Sequence, residues 1–118
     1  MYFEVVKGMY LSGSGNGTEV SQPIEIGRDN AIKAQVRVIE GNLVTTAPLL
    51  VTAEGSNDLD VWADLGYGFQ HSFQEAPATA FIPLYSSEVG FRFVRLKFSP
   101  HASAIALVSA NINTYTQS

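Results

Sequence analysis

At 118 residues the chain has the length of one domain, residues 1–118, and is long enough to bury a core. A net charge of −4 provides no electrostatic drive toward a phosphate backbone or an anionic bilayer, which argues against nucleic acid and membrane as partners. Cysteine is absent, so disulfide frameworks, thiolate zinc sites and thiol catalysis are excluded.

The charged fraction, 15%, is low, and the expectation drawn from it is a surface that meets other protein. The start, Met1–Gly8, lacks a basic region followed by an apolar one, and no later run reaches the length of a membrane span. The expected location is therefore the cytoplasm or an assembled particle such as a virion.

Tyr2–Leu11 is apolar and β-prone, and runs into Ser12–Gly17, read as a flexible loop with a turn signal at Asn16-Gly17. Val20, Gln22, Ile24 and Ile26 share one face of the next strand, and Pro23 assigns that strand to an edge or interrupts it. After the turn Gly27–Asn30, Ala31–Glu40 alternates cleanly. Ile32, Ala34, Val36 and Val38 point one way; Lys33, Gln35 and Arg37 point to water or an interface.

Leu43–Thr46 is a candidate short strand. Leu49, Val51 and Ala53 pair by pattern with Val61, Ala63 and Leu65 across a turn at Gly55–Asp58. Phe69–Gln74 and Ala80–Tyr85 follow as short strands, separated by Glu75–Pro77. Phe91–Phe98 changes parity midway, which predicts a β-bulge near Phe93-Val94 or burial on both faces. Ser103–Thr116 closes the chain with Ala106, Val108, Ala110 and Ile112 inward. No helical period persists. The fold class is all-β, an antiparallel β-sandwich or jelly roll of roughly eight to ten strands.

Chemistry is sparse. Gly13–Gly17 lacks the Gly-Lys-Ser/Thr ending of a phosphate loop and precedes no helix. Glu54, Asp58, Asp60 and Asp64 gather around one hairpin, but their spacing matches no closed calcium loop. His71 and His101 read as polar surface residues, with no serine marked as activated. The aromatics Trp62, Phe69, Phe73, Phe81 and Tyr85 read mostly as core, with Tyr67, between two glycines, as a loop aromatic. Arg92, Arg95, Arg37 and Lys33 form the basic set on strands, expected to pair with acidic neighbours or another subunit.

Glu54-Gly-Ser-Asn-Asp58, Trp62, Asp64-Leu-Gly66 and Phe93-Val-Arg-Leu-Lys-Phe98 together resemble a theme of discoidin-like (F5/8 type C) sandwiches. The same theme is similar to that of small β-sandwich structural proteins of tailed phages and prophages, among them head, decoration and tail components. The cysteine pair and early tryptophan of true discoidin domains are missing, so no ligand residue is carried over. The resemblance implies a building block.

The expected function is a non-enzymatic structural protein that self-assembles, a component or decoration of a virus-like particle. Its partners are copies of itself, with a trimer as the expected form, and other particle proteins; no catalytic residue, metal or cofactor is assigned. The alternative is a carbohydrate- or ligand-binding module. Candidate ligand or interface residues are Tyr67, Asn57, Asp58, Arg92 and Arg95, and the arm Tyr2–Leu11 and tail Ile112–Ser118 are expected to reach a neighbouring subunit.

Overall fold

The computed structural model describes residues 1–83 and 89–116, with Tyr67 described in its backbone alone. Where apolar and polar residues alternate at length, long strands form: β1 (Tyr2–Ser12), β4 (Ala31–Gly41), β5 (Leu49–Ser56), β9 (Phe93–Pro100) and β10 (Ile105–Tyr115). Short strands fill the intervals: β2 (Glu19–Val20), β3 (Ile24–Glu25), β6 (Ala63–Asp64), β7 (Gln70–Phe73) and β8 (Ala78–Ile82). A 3₁₀ turn, Tyr67–Phe69, is the helical element among the described residues, and no helix there is long and apolar enough to cross a membrane.

Every strand pairing is antiparallel. The first sheet runs β1-β10-β4-β8; the second has β9 and β5 at its centre, β2 and β3 beside β9, and β6 and β7 beside β5. The chain changes sheet after β1, β3, β4, β7, β8 and β9. That winding is the jelly roll, an all-β sandwich built from two Greek keys.

The core lies between the sheets. Ile32, Ala34, Val36 and Val38 of β4 and Ala106, Val108 and Ile112 of β10 are fully buried, as the alternation requires. They face Leu49, Val51 and Ala53 of β5 and Val94, Leu96 and Phe98 of β9, also fully buried, with Phe73 of β7 beside them. Each large side chain removed from water here contributes roughly 1.5–3 kcal/mol.

Several sequence expectations are revised. The strand around Pro23 is interrupted at an edge, as its missing amide proton requires, but its faces do not hold: Val20 and Gln22 are exposed while Ser21, Ile24 and Ile26 are buried. Ser21 bridges the gap, since its N–H donates to the Leu96 carbonyl (2.8 Å) and its hydroxyl accepts from the Leu96 N–H (2.9 Å). Leu43–Thr46 forms no strand; Val44 and Ala47 close a tight turn through an isolated bridge.

The hairpin after β5 is also shorter than its pattern suggests. Glu54 and Gly55 pair with Asp64 and Ala63, and the Leu65 N–H donates to the Ala53 carbonyl (3.0 Å), but the hairpin goes no further because β7 takes the place beside Leu49–Thr52. No bulge occurs at Phe93-Val94: the β5–β9 register is continuous from Ser56↔Phe93 to Leu49↔Pro100. The parity change has two sources: Phe93 faces outward from β9, half-buried beside Arg92, and Phe91, which precedes the strand, lays its ring on Gly55, where a Cβ would stand 2.4 Å from a ring carbon. Bulges fall instead in β1, where Gly8 (φ +64°) lies between the paired residues Val6 and Met9, and in β4, where Ile39 is the extra residue opposite Leu107-Val108 of β10. The loop Ser12–Gly17 is fastened by side chains: Asn16 Oδ1 accepts from the Ser12 N–H (2.8 Å) and Asn16 Nδ2 donates to the Tyr10 carbonyl (3.1 Å). Tyr85, the end of the expected Ala80–Tyr85 strand, and residues 117–118 of the tail lie outside the described residues.

Candidate functional site

Four of the five candidate residues meet at one end of the second sheet. Asn57 and Asp58 open the loop between β5 and β6, and Arg92 and Arg95 lie at the start of β9 alongside. Tyr67 follows β6 in the 3₁₀ turn, but its side chain lies outside the described residues, so its place as a loop aromatic is not assigned.

Most of the polar atoms at this end serve the fold. Asn57 Oδ1 accepts from the Arg92 N–H (3.0 Å), tying the loop to the approach of β9. Asp58 Oδ1 accepts from the N–H groups of Asp60 and Val61 (both 2.9 Å) and from the Ser56 hydroxyl (3.0 Å). These bonds, the one from Val61 foremost, hold the Asp58 carboxyl below its ordinary pKa. Ser56 Oγ in turn accepts from the N–H groups of Asp58 and Leu59, and the Trp62 indole donates to the Leu59 carbonyl (3.3 Å).

That web imposes a left-handed backbone on Leu59 (φ +65°), which a branched side chain rarely adopts. Its consequence is an outward display. Leu59 is 48% exposed and Val61 is 70% exposed, two apolar side chains among Asp58, Asp60 and Asp64.

Arg95 and Glu54 are direct cross-strand neighbours, and Arg95 Nε donates to Glu54 Oε1 at 2.9 Å. Trp62 covers the guanidinium, 4.0 Å from the ring centroid, so its ring lies on the outer side of the sheet rather than in the core. Arg92 pairs with Glu25 at 3.3 Å in an exposed position and lies 5.1 Å from the centre of the Phe93 ring. The acidic cluster therefore disperses: Glu54 to Arg95, Asp58 to backbone N–H groups, and Asp64 to the Gly66 N–H (2.7 Å). Among the described residues no three carboxylates or imidazoles converge as a metal would need.

The two histidines stand apart. His71 meets the edge of Phe73 with ring centroids 4.6 Å apart, and His101 Nδ1 accepts from the Ser103 N–H (3.2 Å) in the turn after β9.

The outer side of the first sheet, the face that the alternation of Ala31–Glu40 turns to water or an interface, gathers a second set of side chains. Asn111 stands opposite Gln35, and Gln35 opposite Phe81, across β10, β4 and β8; Tyr2 stands opposite Asn113 on β1. Phe81 was expected in the core, yet it is 50% exposed, because Ala80 and Ile82 take the inward positions of β8. Tyr2 is 58% exposed. Lys33 Nζ lies 5.7 Å from the Phe81 ring centre, and Gln35 accepts from the Asn111 amide (3.2 Å).

Two shallow depressions adjoin on this face and share Tyr2, Gln35 and Asn111. One, of about 520 Å³, reaches Lys33 and Phe81; the other, of about 370 Å³, reaches Lys7 and Arg37. The signal was present in the polar half of the Ala31–Glu40 alternation, where Lys33, Gln35 and Arg37 shared a face.

No known protein family matches the chain, and no curated protein does. Solved structures do. A chain from the disulfide-linked pili of Bacillus endospore appendages aligns over 100% of this chain and 88% of its own, at 12% identity and a TM-score of 0.59. A cellulose-specific carbohydrate-binding module, CBM28, covers 98% of this chain and 75% of its own at 8% identity, with a TM-score of 0.52. The SPBc2 prophage-derived protein YomS covers 96% and 92% at 5% identity, with a TM-score of 0.51. At such identities the likeness is one of fold. The chain shares its fold with a pilus chain, a prophage-derived protein and a carbohydrate-binding module.

Proposed function

We propose that this chain is a non-enzymatic building block that associates with copies of itself, as a component or decoration of a virus-like or other protein particle. The observation that carries the reading is the display of apolar side chains outside the core: Tyr2 and Phe81 on a strand face, Leu59 and Val61 on a bonded loop. Exposed apolar groups of this size become stable when a partner covers them, and identical subunits supply the simplest partner. The low charged fraction favours the same outcome. The solved pilus chain lends the fold a precedent in an assembly, although the pilus named for its disulfides differs from this chain, which has no cysteine to link.

Light scattering across a dilution series tests this directly. The expected result is a mean mass that rises above one chain with concentration; a single-chain mass at every concentration would remove the proposal.

A second reading, carbohydrate binding, draws on the depression between Phe81 and Tyr2, where amides of Gln35, Asn111 and Asn113 line the floor. Amides with flanking rings suit sugar hydroxyls and ring faces. Titration calorimetry with soluble β-glucans decides it: saturable heat supports this reading, and flat traces end it.

A further inference from the structure

We infer that self-association is head-to-tail, with the Leu59–Val61 loop of one copy seated on the outer face of the first sheet of the next. The inference rests on the self-association proposed above and assigns the two surfaces that carry it.

Charge is the first argument. Residues 57–66 hold Asp58, Asp60 and Asp64 and no lysine or arginine. The outer face of the first sheet opposes this with Lys7, Lys33 and Arg37 against Glu4 and, toward its far end beside Tyr10, Glu40, a small local excess of positive charge in a chain of net charge −4. Those three cations take part in neither ion pair found among the described residues, whereas Arg92 and Arg95 do. The face therefore presents cations available to an outside carboxylate.

Shape and polarity agree. The loop projects Leu59 and Val61 between its acids, and the face carries Phe81 and Tyr2 beside a depression of about 520 Å³. Apolar tips then meet rings, with the Asp60 carboxylate, the one of the three acids with no bond inside the loop among the described residues, directed at the flanking lysine and arginine, an apolar centre beside a charged rim. The loop is held by Asp58 and Ser56 before any partner arrives, so little ordering entropy is lost on docking.

The two surfaces differ and lie on different sheets, so each copy keeps one of each free after pairing. Such contacts are heterologous; they propagate into a ring if the rotation closes and a filament if it does not. Because the charges are exposed, the contact weakens as salt screens it.

Sedimentation velocity on two variants and their mixture tests the assignment, with circular dichroism confirming that each folds. Leu59→Gly/Val61→Ser removes the apolar tips while keeping every backbone bond of the loop, and the glycine suits the left-handed position. Lys33→Glu/Arg37→Glu reverses the receiving face. Each variant alone should associate at least about tenfold more weakly than the parent. Mixed, they should form 1:1 pairs that grow no further, because one loop and one face remain intact. A parent that never associates sinks the functional proposal itself. Should the parent associate and both variants match it, the assembly stands but these surfaces are wrong. Weakened variants that fail to pair with each other contradict the head-to-tail arrangement.

Discussion

The outer sides of the two sheets are built from similar residues and end up in different states. On the second sheet, the segment after β5 folds back so that Trp62 lies on Arg95, Arg95 holds Glu54, and Asp58 and Asp64 bond to backbone N–H groups. On the first sheet, Lys33 and Arg37 are exposed, with Phe81 on the strand to one side and Tyr2 two strands away on the other. The lesson is that a charged or aromatic residue on a strand is a candidate for recognition only when its own chain leaves it unengaged. Arg95 serves stability. Arg37 is free to meet a partner.

The largest effect should come from opening the covered side. Arg95→Ala strands the Glu54 carboxylate, which is nearly buried, and uncovers Trp62. We expect a loss of about 2 kcal/mol, read as a lower urea midpoint with unchanged slope. No change in midpoint would mean that solvent compensates the carboxylate, and the contrast between the two sides would weaken.

Acid should loosen the same end more gently. Hydrogen bonds hold the Asp58 carboxyl below its ordinary pKa, so its folded value lies under its unfolded one. The stabilisation is therefore present above the ordinary carboxylate range and lost as pH falls through the folded value. In thermal melts taken from neutral pH downward, the gap between the parent and Asp58→Asn should shrink as that range is passed. Asp29, lowered chiefly by the Thr114 hydroxyl, titrates in the same sense and is common to both proteins, so the difference between them isolates Asp58. A gap that stays constant into acid would contradict the assignment.

The smallest effect on stability belongs to the open side. Phe81→Ser should alter the unfolding free energy by under about 0.5 kcal/mol, since half of the ring is already wet, while reducing self-association. A large destabilisation would place Phe81 among the core residues after all.

Much of the architecture was legible in the sequence, because period-two patterns in Ala31–Glu40 and Ser103–Thr116 fix which side faces inward once a sandwich is assumed. What misled were places where long-range contacts decide. Phe91 packs on Gly55, a glycine far away in sequence, and so mimics a bulge. β7, not the residues after the turn, claims the edge of β5, because pairing depends on what reaches that edge. Asn57 and Asp58 were candidates as loop residues, and Arg92 and Arg95 as part of a basic set; that they meet at one end of the sheet, and how they bond there, was not visible, since backbone N–H groups leave no trace in residue type. Phe81 was misplaced for a related reason: an aromatic in a short strand gives too few alternating neighbours to fix its parity.

Hydroxyl-radical footprinting over a concentration series tests the central claim most directly, because it reads the exposure of individual side chains. If copies cover one another through the surfaces described, labelling of Tyr2, Phe81, Leu59 and Val61 should fall together as concentration rises, while His101, exposed in the turn after β9, stays constant. Labelling of all five that is indifferent to concentration would contradict the account.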